Sequence, residues 1–275
     1  MSVPQSTTWL VDGFCRFTTR MVRKNFQCFA VQGLDQIPSI AESNCSLVVY
    51  ANHIGWWDPI VAMLLRKKYL PDRVFYAPID AKALEAYGIF RQLGFYGLKL
   101  ETFAGASEFL KTSREILSDP KSSVWITPEG VFCDCRDLEQ PFMPGLAHLA
   151  ATTPNTIFVP LAIEYPFWQE PKPMIATRFG EPLSFQAGAS KADCGKKIFE
   201  SLRETQRQLA SSVMRRDFSE FDFVVAPKSQ RLGLYDNLRA WKAWLQGRPF
   251  DPSHASINGH ASINGKNSTS PGERN

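Results

Sequence analysis

The stretch Leu47-Val-Val-Tyr-Ala-Asn-His-Ile-Gly-Trp-Trp-Asp-Pro59 decides how this chain is read. Leu47–Ala51 is an unbroken apolar run of strand length, so Asn52 and His53 fall where a buried strand leaves its sheet. Asp58 precedes Pro59, which reads as a helix N-cap followed by proline at the first helical position, and the apolar run Ile60–Leu65 continues that helix. The imidazole of His53 then stands at the carboxyl end of a strand, where open α/β sheets place their sites.

Outward from this unit the chain keeps alternating short apolar runs with amphipathic ones, the mark of an α/β fold with a mostly parallel central sheet flanked by helices. Strands are expected at Leu47–Ala51, Val74–Ala77, Tyr96–Leu100, Val124–Thr127, Ile157–Ile163 and Met174–Phe179. Helices are expected at 59–69, 81–92, 105–118, 144–152 and 191–215. Hydrophobic residues make up 44% and charged residues 21%, a globular balance that excludes wholesale disorder or a fibre. The net charge of +4 is too mild for a nucleic-acid partner. Six scattered cysteines without a secretory signal read as reduced thiols in a cytosolic compartment. The Cys133-Asp134-Cys135 pair lacks a second ligand pair at zinc spacing, so no metal site is expected.

No apolar run approaches the roughly 18 residues that a spanning helix needs. Residues 9–24, taken as a helix, gather Leu10, Phe14, Phe17 and Met21 on one side, with Val11 and Val22 beside them, and Arg16, Arg20 and Arg23 opposite. Two placements fit: in the plane of an anionic membrane surface, or docked on the protein's own domain. Leu234, Leu238, Trp241 and Leu245 recur at helical spacing near the other end. Beyond Pro249 the composition turns to Ser, Asn, Gly and His, with His-Ala-Ser-Ile-Asn-Gly twice in tandem at 254–265, and reads as a disordered tail.

Acid–base chemistry narrows to one of four histidines. His254 and His260 lie in the repeat, and His148 sits in a small-residue helix that suits a packed histidine. Asp58 is five residues from His53, and the turn permitted by Gly55 allows its carboxylate to fold back onto the ring, fixing the tautomer so that the other nitrogen takes a proton from a hydroxyl. A plain strand end and a plain helix cap explain the same two residues.

Four segments in order weigh against the plain explanation. Asn52-His53, with Asp58 following, resembles the first motif of the phospholipid/glycerol acyltransferase family, and Thr127-Pro-Glu-Gly130 is similar to its Phe-Pro-Glu-Gly motif with Thr in place of Phe. Phe142-Met-Pro-Gly145 resembles the segment that follows, and Phe158-Val-Pro-Leu-Ala-Ile163 its last motif, a strand carrying Val-Pro. The resemblance covers about residues 45–185. It implies transfer of an acyl group from acyl-CoA or acyl carrier protein to a lysophospholipid such as 1-acylglycerol-3-phosphate, at the cytoplasmic face of a membrane, with His53 as base and Asp58 as its orienter. It further implies that Glu129 and Gly130 bind the acceptor's glycerol, and that Lys82 contacts phosphate or the developing oxyanion. A solvated surface lysine is the alternative for Lys82, and plain packing for Trp56 and Trp57, which otherwise line the acyl entry or meet the membrane. An activated thioester needs no resident cofactor or metal.

The implied organisation is a membrane-associating helical segment at 1–43, an acyltransferase domain at 44–220, a helical extension at 221–249 and the tail at 250–275. Two departures bear on the acceptor. The family's second motif ends in a phosphate-gripping Arg, whereas Gly94-Phe-Tyr-Gly-Leu-Lys-Leu-Glu101 offers only Lys99, a poorer bidentate partner. Pro-Glu-Gly is followed by Val131-Phe132, with the nearest arginine at Arg136. A phosphate-free lipid, or a lipid-linked amine or sugar, is therefore the alternative acceptor, and a non-catalytic lipid-binding protein the third reading.

Overall fold

The computed structural model describes residues 3–99, 102–168, 170–227 and Gln246. The chain runs α1(Thr8–Asn25), β1(Phe29–Gln32), α2(Ile37–Glu42), β2(Ser46–Ala51), α3(Asp58–Tyr69), β3(Val74–Asp80), α4(Ala81–Ala86), α5(Ile89–Gln92) and β4(Phe95–Leu98). It continues α6(Phe103–Leu117), β5(Ser122–Ile126), α7(Gly145–Thr152), β6(Thr156–Glu164), β7(Ile175–Phe179), β8(Leu183–Ser184), α8(Lys191–Arg215) and β9(Asp222–Val225). The strands form one mixed sheet in the order β4-β3-β5-β2-β6-β7-β1-β9, with β8 pairing β6. Its centre is parallel: β2 lies between β5 and β6, with Val49 opposite Trp125 and Val159. β7 and β9 run antiparallel to their neighbours β6 and β1.

All six residues of β2 are buried, because helices cover both faces of the sheet, and a strand covered twice reads as a continuous apolar run. Alternation divides it: Leu47, Val49 and Ala51 join a core with α1 and α3, while Val48 and Tyr50 join another with α6, α7 and α8. The result is three layers, helix on sheet on helix, with the carboxyl ends of β2, β3, β5 and β6 along one edge. The expected α/β class with a mostly parallel sheet is what the molecule has.

Several boundaries differ from expectation. The sheet draws on residues before 44 and after 220, since β1 pairs with β7 and β9 pairs with β1. The helix expected over 81–92 is two short ones, broken at Tyr87-Gly88. The start of α3 moves back one residue: Trp57 holds the cap position, and Asp58 is the first helical residue. The helix expected at 234–245 and the tandem-repeat tail lie outside the described residues.

α1 is docked on its own domain through Val11, Cys15, Thr18 and Val22, and its Asp12 is paired with Lys67 of α3 at 2.5 Å. The periodicity in the sequence is thus met by a narrower face than expected. Trp9 and Phe17 remain 73% and 56% exposed, on a helix whose Arg16, Arg20, Arg23 and Lys24 are also exposed.

Candidate active site

The loop between β2 and α3 is fixed before it presents any chemistry. Asn52, buried at the end of β2, donates from Nδ2 to Ile163 O at 3.0 Å, and Ile163 N–H donates to Asn52 Oδ1 at 2.8 Å. This bracket ties the strand end to β6, a role the sequence did not reveal. From there the chain turns through Gly55, whose carbonyl accepts from Asp58 N–H at 3.1 Å.

The carboxylate of Asp58 points back into that turn instead of capping its own helix. Oδ2 accepts from Ile54 N–H at 2.8 Å, Gly55 N–H at 3.0 Å and His53 Nδ1–H at 2.7 Å. Two backbone donors on the same oxygen require it to be an acceptor, so the shared proton belongs to Nδ1 and Nε2 is the open basic nitrogen. Oδ1 accepts from the Tyr165 hydroxyl at 2.5 Å.

The backbone N–H of His53 donates to Glu129 Oε2 at 2.7 Å, and Cys133 N–H donates to His53 O at 2.8 Å. Glu129 reaches His53 because Pro128-Glu129-Gly130 turns tightly after β5, with Gly130 N–H donating to Thr127 O at 3.2 Å. Gly130 has φ 70°, and a Cβ there would stand 2.6 Å from Met143 Sδ, so the turn requires glycine. Glu129 Oε1 accepts from Arg203 Nη1 at 2.8 Å, and both side chains are buried. The Arg203 guanidinium also donates to Gln206 Oε1 at 2.7 Å and Gln140 O at 2.6 Å, and it lies 4.8 Å and 4.9 Å from the ring centroids of Phe142 and Phe199, which contact each other.

Beside this framework opens an apolar cavity of about 400 Å³. His53, Asp58, Trp56, Thr127 and Gly130 line it together with the buried residues Val49, Phe75, Phe95, Trp125 and Leu161. Phe132 packs against the His53 ring, centroids 4.4 Å apart, and against Trp56 at 5.7 Å. Of the expected site residues, His53, Asp58, Thr127 and Gly130 therefore meet at one wall. Glu129 is not among the lining residues, and both its oxygens are taken within the protein. Lys82 and Lys99 are exposed, one following Asp80 and Ala81 and the other following Leu98; Asp80 and Leu98 themselves line the cavity. Arg136 is exposed and held by Asp134 through Nε at 2.8 Å and Nη2 at 2.7 Å, which pushes the Asp134 carboxyl below the usual carboxylate range. Among the described residues no lysine or arginine lines the cavity.

Sequence reading missed Tyr165 and Arg203, whose partners lie 107 and 74 residues away. It also missed Glu164, at the end of β6, whose carboxyl burial pushes up to about 7 from an ordinary 4.5. The native protein holds a proton there that the unfolded chain releases, so stability falls as pH rises from about 4.5 to about 7. Glu164→Gln is expected to raise stability at pH 8 by on the order of 2 kcal/mol, allowing for solvent at this half-buried side chain, and to change nothing at pH 4. Thermal unfolding at the two pH values checks this, and equal shifts at both would count against it.

The sheet, the His53–Asp58 pair at its carboxyl edge and the apolar cavity beside them form one site of an α/β protein. Residues 28–164 match the model of the family described as Acyltransferase, and this segment is an acyltransferase domain. No curated protein matches the chain. The match ends one residue before Tyr165 and leaves out α1 and α8.

Proposed function

We propose that the protein transfers a fatty acyl group from an acyl thioester, acyl-CoA or acyl carrier protein, to the hydroxyl of a lysophospholipid such as 1-acylglycerol-3-phosphate. The observation that carries this reading is the His53 Nδ1–Asp58 pair at 2.7 Å on the wall of an apolar cavity. The acyl chain lies in the cavity with its thioester carbon at His53. Nε2 takes the acceptor's hydroxyl proton as its oxygen attacks that carbon. The C–S bond then breaks, and the imidazolium returns the proton to the departing thiolate. Asp58 holds the tautomer and faces the imidazolium charge. A thioester is already activated, so the sequence of steps needs no resident cofactor or metal.

Lys82 and Lys99, exposed beside lining residues, are the cations for a headgroup phosphate. The outer face of α1, with exposed Trp9 and Phe17 among four cations, suits the anionic cytoplasmic leaflet, where each cation contributes about 1 kcal/mol. This is peripheral association: among the described residues no helix is long and apolar enough to cross a membrane.

A second reading keeps the chemistry and changes the acceptor to a phosphate-free lipid. It is favoured by the cavity's lack of any lysine or arginine and by the commitment of Arg136 to Asp134. One panel separates the two: purified protein, acyl-CoA or acyl carrier protein as donor, and lysophosphatidic acid, other lysophospholipids, monoacylglycerol and amino- or sugar-linked lipids on anionic vesicles. Turnover is expected with lysophosphatidic acid, with His53→Ala as the inactive control. Turnover only on phosphate-free acceptors selects the second reading, and none on any acceptor overturns both.

A further inference from the structure

β6 alternates its side chains, and the alternation continues past the strand. Leu161 and Ile163 face the cavity, and Tyr165, two residues on, stays on that side and reaches Asp58. The two carboxylate oxygens are consequently fixed by different elements. Oδ2 is held by the loop that carries His53, and Oδ1 is held by the hydroxyl that follows β6, the strand next to β2.

The phenol is itself held in place. Its ring lies 5.8 Å from that of Phe26, which closes α1 and packs edge-on against Trp57 at 4.8 Å, and Trp57 directly precedes Asp58. Burial and the neighbouring Asp58 charge push the Tyr165 phenol well above its ordinary range, so it remains a donor. A carboxylate bonded through one oxygen is free to swing about that oxygen. Bonded through both, its plane and the lone pair that meets Nδ1–H are set.

We propose that Tyr165 is a positioning residue for the base: its hydroxyl fixes the plane of the Asp58 carboxylate and thereby the orientation and tautomer of His53. The proposal rests on His53 acting as the base of acyl transfer. It places a functional residue just outside the segment matched to the acyltransferase family. It also gives the N-terminal helix, through Phe26, a physical connection to the residue that orients the base.

Tyr165→Phe removes the hydroxyl and keeps the ring against Phe26. The loss of a hydrogen bond to a charged group is expected to lower kcat roughly ten- to a hundredfold. KM for donor and acceptor is expected to stay unchanged, because the phenol touches neither. In an Asp58→Ala background the same substitution is expected to cost nothing further, the mark of a group that acts through Asp58. The second readout is the His53 Nδ1 proton resonance of the substrate-free protein, expected to move in Tyr165→Phe. An unmoved resonance overturns the proposal whatever the rate does, and so does a full additional loss in the Asp58→Ala background. A moved resonance in a protein that transfers no acyl group supports the positioning of His53 while sinking the acyltransferase reading.

Discussion

Arg203→Ala is expected to destabilise the protein by about 3–5 kcal/mol, because it leaves a buried carboxylate without its counter-charge. The Arg203 and Glu129 side chains are 2% and 1% exposed. Removing the guanidinium strands Glu129 Oε1 and leaves Gln140 O and Gln206 Oε1 without its donors. For a chain of this size each kcal/mol moves the melting temperature by about 2–4 °C, so a drop on the order of 10 °C is expected in thermal unfolding. Glu129→Gln alone strands the opposite charge and is expected to cost a similar amount. The double variant Arg203→Met with Glu129→Gln recovers most of the loss, since a buried ion pair replaced by well-filled neutral groups is often neutral. Additive losses in the double variant would show that the two groups do not act as a pair.

The same pair separates two roles for Glu129. The family resemblance assigns it to the acceptor's glycerol, whereas its oxygens here bind the backbone N–H of His53 and the guanidinium of Arg203. A strut under the base implies that the activity of partly stabilised variants follows kcat, with acceptor KM steady. A glycerol ligand implies the reverse.

What the sequence made legible was local. His53 and Asp58 are five residues apart, and their hydrogen bond depends on a turn that Gly55 announces. The central strands were legible because doubly covered strands are uninterrupted apolar runs: β2 and β6 fall where Leu47–Ala51 and Ile157–Ile163 predict. β1 and β9 were not. Each is only four residues long, and β1 is a strand because it pairs with β7, some 145 residues along the chain. Arg203 lies in Leu202-Arg-Glu-Thr-Gln-Arg207, which reads as a solvated helix face, and only the approach of Glu129 makes it interior. Tyr165 follows a strand whose period was legible but whose partner was not. The arrangement of the site therefore divides in two: His53, Asp58 and the two amides that hold the carboxylate are written in one loop, and Tyr165, Glu129 and Arg203 come from distant elements.

Substitutions at that pair carry the largest expected losses in rate. Among the described residues His53 carries the only basic nitrogen on the cavity wall, and His53→Ala is expected to lower kcat on the order of 10²–10⁴-fold, the usual contribution of a positioned base. Asp58→Asn is expected to cost less, and the reason is geometric. The site of Oδ2 faces three N–H donors, from Ile54, Gly55 and His53, so only the amide oxygen of asparagine fits there. The amide NH₂ is then turned to Tyr165, whose hydroxyl reverses to accept from it. The Nδ1–H tautomer survives, and what is lost is the negative charge opposite the imidazolium, roughly ten- to a hundredfold in kcat. Asp58→Ala loses the charge, the tautomer control and the anchor for the turn together, and falls between Asp58→Asn and His53→Ala. In the double variant His53→Ala, Asp58→Ala the rate of the folded protein stays near that of His53→Ala, since the charge and tautomer control of Asp58 act only through the imidazole. Steady-state kinetics on the folded variants decide this. A further drop in the double variant would mean that Asp58 meets the substrate directly, and a tautomer lost in Asp58→Asn would mean that the two backbone amides do not hold the oxygen in place.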